Sequence, residues 1–275
     1  MEPREMYHRC LGALKAYAEN AGFTDMVIGL SGGLDSSVIA ALCVDAFGAD
    51  HVHGVLLPGP YSSESSVDDA LELAKRCGIE TKTISITEPY NAFAKVMAPV
   101  FGGAFEGVAS ENTQARCRMI VLMALSNQYN WMLVNTGNKS EACMGYSTLY
   151  GDTAGAFAPI GGLYKTDVYA VGRVCNQIAE EEGRPAPIPE NVFIKPPSAE
   201  LAAGQEDEKS FGMSYALLDR VLMGLVERGE DEVTVAETCG LEAESVKQIS
   251  DRVKRYAFKR ALEPPYPSDA FYAQS

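Results

Sequence analysis

The chain has 275 residues, of which 47% are hydrophobic and 22% charged, a composition typical of a globular protein with one large core. Its 37 acidic and 23 basic side chains give a formal net charge of −14. This acidic surplus argues against nucleic-acid binding, because such proteins use basic surfaces to neutralise phosphates. No apolar run reaches the roughly eighteen residues of a membrane span and no secretory leader opens the chain, so we expect a cytoplasmic protein without a membrane partner.

The seven cysteines and three histidines are not arranged for metal binding or nucleophilic catalysis. The cysteines form no Cys-x-x-Cys pair, and the histidines lie at positions 8, 51 and 53 only. Zinc sites need closely spaced cysteine and histidine ligands, so none is predicted. Most of the cysteines have apolar neighbours, and we expect them to be reduced and buried.

Short apolar runs alternate with helical patterns through the first two thirds of the chain. In chain order, the predicted elements are a strand at 26–30, a helix at 38–47, a strand at 52–57, a helix from 62 to 77, a strand at 81–86, a helix at 112–130 and a strand at 132–134. This alternation predicts an α/β fold, a Rossmann-like doubly wound parallel sheet with helices on both faces. Ligands of such sheets bind beyond the carboxyl ends of the strands, so we expect the site at the turns after Leu30 and Val134.

The pattern changes after residue 190. Residues 195–205 are rich in proline and alanine, an acidic stretch follows, and helices are predicted near 215–228 and 242–258. We expect one domain over 1–275, with a core at about 20–190 and a helical C-terminal region at about 191–275. The tail, with three prolines, is expected to pack as an irregular strap. Residues 195–211, the lid segment, have a surface-loop composition and are expected to close over the bound nucleotide.

Residues 31–37 read SGGLDSS, directly after the first predicted strand. Adjacent glycines let the backbone approach an anion, the serines add hydroxyl donors, and the positive end of the next helix faces the same point. The lysine of the Walker loop is missing. Asp35 would repel phosphate unless a metal lies between them, which indicates Mg²⁺ held by a carboxylate and phosphate oxygens. The alternative is a simple turn in which Asp35 caps the helix.

Five further segments narrow the function. They read ENTQARCR at 111–118, TGNKSE at 136–141, GYSTLYGD at 145–152, PIGGLYKT at 159–166 and PSAEL at 197–201. The SGGxDS loop resembles that of the ATP pyrophosphatases, and with these segments the chain resembles the NAD synthetase family. The resemblance implies ammonia-dependent amidation of deamido-NAD⁺ to NAD⁺ through an adenylated carboxylate, releasing AMP and pyrophosphate. It also implies ATP as co-substrate, Mg²⁺ as cofactor and a homodimer with a shared dinucleotide site.

The resemblance assigns roles to individual residues. The implied ATP-binding residues are Gly29, Leu30, Ser31, Gly32, Gly33, Leu34, Asp35, Ser36, Ser37, Thr136, Lys165 and Ser198. The implied metal ligands are Asp35 and Glu141, and the implied substrate-binding residues are Arg116, Phe258 and Lys259. Asp35 and Lys165 are expected to act in catalysis. Asp152 is our candidate base for the ammonia proton, although a purely structural role in its loop is equally compatible with the sequence.

The chain departs from the family pattern at three positions. Phe258 stands where the family often has histidine, and Leu149 and Ala156 stand where many ammonia-dependent enzymes have lysine and aspartate. The sequence around Leu149 and Ala156 looks more like the synthetase domain of the larger glutamine-dependent enzymes. No amidase region with its Cys-Glu-Lys nucleophile is found. We therefore expect either free ammonia or a separate protein, such as a glutaminase, to supply the nitrogen.

Two alternatives remain at this stage. Another ligase with the same ATP-pyrophosphatase loop, GMP-synthetase-like or tRNA-modifying, shares SGGxDS but is not expected to share the later segments in this order. A DNA-binding regulator is suggested by residues 233–253, which have the spacing of a helix-turn-helix. Its second helix, however, would open with Glu242 and Glu244, which disfavours contact with DNA.

Overall fold

The computed structural model describes residues 1–267 and 271–272. A parallel sheet forms its centre, and the strands are β1 (Met26–Gly29), β2 (Val52–Leu56), β3 (Glu80–Thr83) and β4 (Met132–Leu133). Their order is β3-β2-β1-β4, and every pairing is parallel. The chain runs outwards from β1 to β3 and then adds β4 on the other side of β1. The carboxyl ends of β1 and β4 therefore border the crevice where such folds bind ligands.

Helices cover both faces of this sheet and form the C-terminal region. They are α1 (Pro3–Ala21), α2 (Leu34–Phe47), α3 (Glu64–Cys77), α4 (Thr87–Met97), α5 (Gly107–Tyr129), α6 (Lys139–Met144), α7 (Lys165–Glu181), α8 (Glu190–Ile194), α9 (Asp207–Phe211), α10 (Tyr215–Leu222), α11 (Glu232–Cys239), α12 (Ala243–Arg255) and α13 (Ala257–Arg260). The predicted fold class, with its helical C-terminal region, is confirmed. None of the helices in the described part of the chain is long and apolar enough to cross a membrane.

Successive side chains of β1 point to opposite faces of the sheet and therefore pack in different apolar cores. Met26 and Ile28 pack with α1, α2 and α7 on one face. Val27 packs on the other face with residues of α5 such as Leu122. Because both faces are covered, β1 is apolar throughout instead of alternating with polar residues.

Several element boundaries differ from the prediction. Helix α2 begins at Leu34, four residues early, so Asp35 lies in its first turn. The strand predicted at 81–86 is β3, which already ends at Thr83. The helix α4 follows it and was not predicted. The lid segment was expected to be loop throughout, but it contains the short helix α9. The helix predicted at 215–228 is α10 followed by a π-helical turn, and the one predicted at 242–258 is interrupted at Tyr256.

The C-terminal helices bury their own apolar cluster against α6. Val235 and Ala236 of α11 and Val246 and Ile249 of α12 belong to this cluster. The two helices suspected of binding DNA thus form a packed pair within the fold. The predicted strap falls partly outside the described residues, at 268–270 and 273–275, whereas Phe271 is buried in the main core.

Candidate active site

A cavity of about 860 Å³ opens at the carboxyl ends of β1 and β4, where the sequence predicted the site. Its volume is within the range of small-molecule sites. The predicted ATP-binding residues that line it are Gly29, Leu30, Ser31, Gly33, Leu34, Asp35, Thr136, Lys165 and Ser198. Gly32, Ser36 and Ser37 are not part of this lining.

These three residues instead hold the turn in shape. The hydroxyls of Ser36 and Ser37 donate to the carbonyl oxygen of Gly33, at 3.1 and 2.8 Å. Gly32 has a φ of +74°, and a Cβ there would lie 2.0 Å from the carbonyl oxygen of Ser66. A glycine is therefore required for the turn to approach the start of α3. The result is a tight turn that exposes the N-terminus of α2 to the cavity, a favourable position for an anion.

The charged centre of the cavity is formed by Lys165 and two carboxylates. The Lys165 ammonium group donates to a carboxylate oxygen of Asp35 and, at 3.3 Å, to Glu141 Oε1. The Lys165 side chain is only 3% exposed. Asn138 holds both acids in place, since its Nδ2 donates to Asp35 at 3.1 Å and its Oδ1 accepts from the Glu141 backbone N–H at 3.0 Å. The sequence analysis missed Asn138, although an asparagine before a helix is a common N-cap signal.

The environment perturbs the protonation of this centre. Burial raises the pKa of Glu141 to about 8, against the opposing charge of Lys165. Burial alone would lower the pKa of Lys165, but the charges of Asp35 and Glu141 raise it above its ordinary value. Lys165 is therefore charged near neutrality, and its charge favours the ionised form of Glu141.

The same donor set was tested as a site for Mg²⁺. No group of three His, Cys, Asp or Glu side chains within residues 1–267 and 271–272 could hold a metal ion. Asp35 and Glu141 supply two carboxylates around one cationic position, and the remaining ligands would have to be phosphate oxygens and water. Mg²⁺ is commonly bound in this way in nucleotide sites. The residues therefore fit a metal that arrives with a nucleotide.

Asp152 lies in the cavity wall and also holds its own loop. Its Oδ1 accepts a hydrogen bond from the Thr148 backbone N–H at 2.9 Å, and its backbone oxygen accepts from Asn135 Nδ2 at 2.7 Å. The surrounding protein raises its pKa above the ordinary aspartate value. The structural role considered from the sequence is thus present, and Asp152 also lines the cavity.

The two arginines of α5 occupy different environments. Arg118 lines the cavity and donates from Nε to the carbonyl oxygen of Leu57 at 3.0 Å. Arg116, the predicted substrate contact, is exposed outside the cavity lining and donates to the Leu149 carbonyl oxygen at 3.1 Å. Side chains two positions apart on a helix point in different directions, and only the packing of α5 decides which of these two arginines faces the site.

The other predicted substrate contacts also separate. Lys259 lines the cavity, and its ammonium group donates to the carbonyl oxygens of Gly145 and Ser147 at 2.8 and 2.6 Å. Phe258 is 54% exposed and lies outside the lining. The departures at Leu149 and Ala156 also lie outside it.

The lid segment lines the cavity and is attached to the start of α3. Ser198 Oγ donates to the Gln205 carbonyl oxygen at 2.6 Å, which closes the segment on itself. The Glu200 carboxylate accepts from Ser63 Oγ at 2.8 Å and Ser66 Oγ at 2.7 Å, at the start of α3. Glu200 adopts a φ of +48°, an uncommon conformation for a side chain of this type.

The family model described as NAD synthase matches residues 6–263. The chain belongs to the NAD synthase family. A glutamine-dependent NAD(+) synthetase from Thermotoga maritima is 43% identical over 256 residues, which cover 93% of this chain and 43% of that protein. This member of the family thus spans about half the length of the curated relatives it matches.

Solved structures of the family have the same architecture. An NMN synthetase from Francisella tularensis is 32% identical, with a TM-score of 0.77 over 94% of this chain and 96% of that one. An NH3-dependent NAD synthetase from Campylobacter jejuni is 28% identical, with a TM-score of 0.73 over 94% and 96%. A glutamine-dependent NAD+ synthetase from Acinetobacter baumannii in complex with ADP is 34% identical, with a TM-score of 0.67 over 94% and 45%.

Proposed function

We propose that this NAD synthase family member catalyses ATP-dependent amidation of deamido-NAD⁺ by ammonia, giving NAD⁺, AMP and pyrophosphate. The observation that carries the proposal is the meeting of Asp35, Glu141 and Lys165 beside the N-terminus of α2, in a cavity at the sheet edge. The ADP complex of the Acinetobacter relative supports ATP as the nucleotide. The family match favours this activity over the other ligases that share the loop.

In this proposal the ATP phosphates bind to the turn after β1, to Thr136 and to Lys165, and Ser198 contacts the nucleotide from the lid. Mg²⁺ bound by Asp35 and Glu141 would neutralise phosphate charge. The positive charge of Lys165 stabilises the negative charge that develops on the leaving pyrophosphate. These residues accelerate the reaction by position and charge, so no protein nucleophile is needed.

The proposed chemistry has two steps. A carboxylate oxygen of the nicotinate ring attacks the α-phosphorus of ATP, and the bond from that phosphorus to the β-phosphate oxygen breaks to release pyrophosphate. The ammonia nitrogen then attacks the activated carbonyl carbon, and the bond to the phosphate oxygen breaks to release AMP. The nitrogen must lose a proton in this second step, and Asp152 is the proposed acceptor because it is an acidic residue of the cavity lining.

We propose that ammonia is the nitrogen donor at this site. The Campylobacter neighbour, described as NH3-dependent, matches the chain over nearly its full length, and that likeness supports the proposal. The glutamine-dependent relatives are about twice as long as the matched region. A separate glutaminase that releases ammonia is the proposed alternative supply. We further propose that residues 1–275 act as one domain, and that the protein works in the cytoplasm, where its seven unpaired cysteines would stay reduced.

An exposed apolar surface supports the expected homodimer. Phe93 and Val96 of α4 and Ile120 and Met123 of α5 are all exposed. Arg116 lies one helical turn before Ile120, on the same stripe of α5. A second copy packed on this stripe would bury it and place Arg116 at the interface. Such a dimer would allow Arg116 to contact a dinucleotide that extends out of the cavity, as the predicted shared site requires.

A second candidate function is amidation of the mononucleotide, nicotinate mononucleotide, to NMN. The observation in its favour is the Francisella NMN synthetase, whose chain matches over 96% of its length. The positions of Arg116 and Phe258 outside the cavity are also compatible with a shorter substrate.

One experiment tests both candidates. The purified protein is incubated with ATP and Mg²⁺, with either deamido-NAD⁺ or nicotinate mononucleotide, and with either ammonium or glutamine. Products are separated and measured as AMP, NAD⁺ and NMN. We expect NAD⁺ and AMP in equal amounts with deamido-NAD⁺ and ammonium. A higher kcat/KM for the mononucleotide would replace the first candidate with the second. If neither deamido-NAD⁺ nor the mononucleotide gives AMP, both candidates are refuted.

A further inference from the structure

Tyr215, the first residue of α10, connects the lid segment with the charged centre of the cavity. It is 3% exposed, and its ring lies 5.4 Å from the Lys165 ammonium. Its hydroxyl is 3.0 Å from Asp207 Oδ2 and 3.5 Å from Glu141 Oε1. Its backbone N–H donates to Glu208 Oε1 at 2.8 Å. Tyr215 therefore contacts two acids of the lid and two members of the centre at once.

Asp207 depends on this contact. It belongs to α9 of the lid segment and is 4% exposed, and its Oδ1 is buried without a hydrogen-bond partner in the described part of the chain. Its other oxygen accepts the hydrogen bond from Tyr215. A buried carboxylate with so few partners is costly. The hydrogen bond from Tyr215 therefore helps to hold Asp207 in this position, together with the nearby Tyr146 hydroxyl.

A tyrosine hydroxyl has one proton to donate, and two carboxylates lie within reach of it. In the structure the shorter contact of the Tyr215 hydroxyl is to Asp207, and its contact to Glu141 Oε1, which also accepts from Lys165, is long. When Asp207 moves away with the lid, the nearest remaining acceptor is Glu141. The hydrogen bond of Tyr215 would then compete for the oxygen that a metal needs.

We propose that Tyr215 is a positioning residue that couples lid closure to the metal-binding state of Glu141 by exchanging its hydrogen bond between Asp207 and Glu141. The inference rests on the proposed function, in which Glu141 binds Mg²⁺ with the ATP phosphates. Tyr215 itself lies outside the cavity lining.

The main test is Tyr215→Phe, which removes the hydroxyl and keeps the ring beside Lys165. We expect kcat to fall about tenfold or more, the size expected for a hydrogen bond to a charged group. The Mg²⁺ concentration for half-maximal activity should change, while the KM for deamido-NAD⁺ stays the same. Tyr7→Phe is the matched control, because Tyr7 is 2% exposed and donates to Asp45 at 2.8 Å, far from the cavity. It should lower the melting temperature without affecting kcat or the Mg²⁺ response.

Asp207→Asn provides the coupling measurement. If Tyr215 and Asp207 act through one hydrogen bond, the double variant should be no more than about twofold slower than Tyr215→Phe alone. Fully multiplicative losses would contradict the coupling. A Tyr215→Phe enzyme with unchanged kcat and Mg²⁺ response, or one impaired no more than Tyr7→Phe, would overturn the proposal.

A binding measurement separates this inference from the proposed function. Hydrogen exchange of the lid segment and calorimetric affinity are measured with a non-hydrolysable ATP analogue, with and without Mg²⁺. In the wild type we expect Mg²⁺ to increase both lid protection and affinity, and in Tyr215→Phe this increase should be lost. These readouts need no turnover, so they test the coupling even if the wild type forms no NAD⁺. An equal Mg²⁺ effect in both proteins would refute the coupling alone.

Discussion

The ammonium group of Lys165 donates a hydrogen bond to the carboxylate of Asp35, at the point where the first turns of α7 and α2 meet. Each residue thereby stabilises the charge of the other in a largely buried position. In the proposed function, a metal-bound polyphosphate would offer the same compensation, with the metal paired to Asp35 and the phosphate paired to Lys165. The contact therefore prepares both side chains for nucleotide binding without leaving a buried charge unpaired.

Asp35→Asn and Glu141→Gln should each reduce kcat about 100-fold or more, since each removes a charge that the metal–phosphate complex requires. AMP formation is measured across a Mg²⁺ titration, and circular dichroism checks that the fold is intact. Near-normal turnover of both variants at low Mg²⁺ would contradict the assigned metal ligands.

Activity with ammonium should rise with pH across the neutral range. The reason is that a larger share of the ammonium loses a proton and becomes the nucleophile as the pH rises. Asp152→Asn should lower kcat at every pH. Initial rates at constant total ammonium and ionic strength provide the measurement. Glutamine alone should give almost no product, and efficient use of glutamine by the purified chain would contradict ammonia as the donor.

The lid segment should become protected from hydrogen exchange when ATP analogue and substrate bind, because closure excludes water that would hydrolyse the acyl-adenylate. Glu200→Gln weakens the attachment to Ser63 and Ser66 and should increase the release of AMP without NAD⁺ formation. Equal protection of residues 195–211 in free and bound protein would refute the lid.

Arg116→Ala should raise the KM for deamido-NAD⁺ about tenfold or more, the effect of losing one charged hydrogen bond. Leu149→Lys combined with Ala156→Asp should not lower that KM, because we expect Arg116 and Lys259 to compensate for the two missing polar side chains. Sedimentation checks that the Arg116 variant keeps its oligomeric state. A double variant that binds substrate tenfold tighter would show that this chain lacks two anchors.

Gly32→Ala should destabilise the fold by about 1–3 kcal/mol, because the added Cβ would lie 2.0 Å from Ser66 and the backbone φ is +74°. Gly12→Ala is the control, since no atom lies within 4 Å of the added Cβ in α1. There the substitution should stabilise by about 0.5–1 kcal/mol through helix propensity. Urea unfolding of both variants gives the comparison, and equal stability would show that the turn can relax.

The sequence by itself was sufficient to predict the sheet, the glycine-rich turn after its first strand and the family. These depend on patterns that are local in the chain: apolar runs of strand length, a glycine-rich turn between a strand and a helix, and short segments in a fixed order. The start of α2 was not found, because a buried helix with apolar residues on all sides lacks the periodicity that would identify it. The presence of α4 was also not found, although only Tyr90 of this helix is buried.

Only the tertiary structure decided how the site is assembled. It placed Arg118 instead of Arg116 in the cavity, because the rotation of α5 is set by its packing on the sheet. It also brought Asp207 of the lid against Tyr215, a contact that no spacing in the sequence predicts. Side-chain orientation and contacts between distant elements depend on the shape of the whole core. Local patterns identify which elements form, whereas packing between them determines which side chains meet.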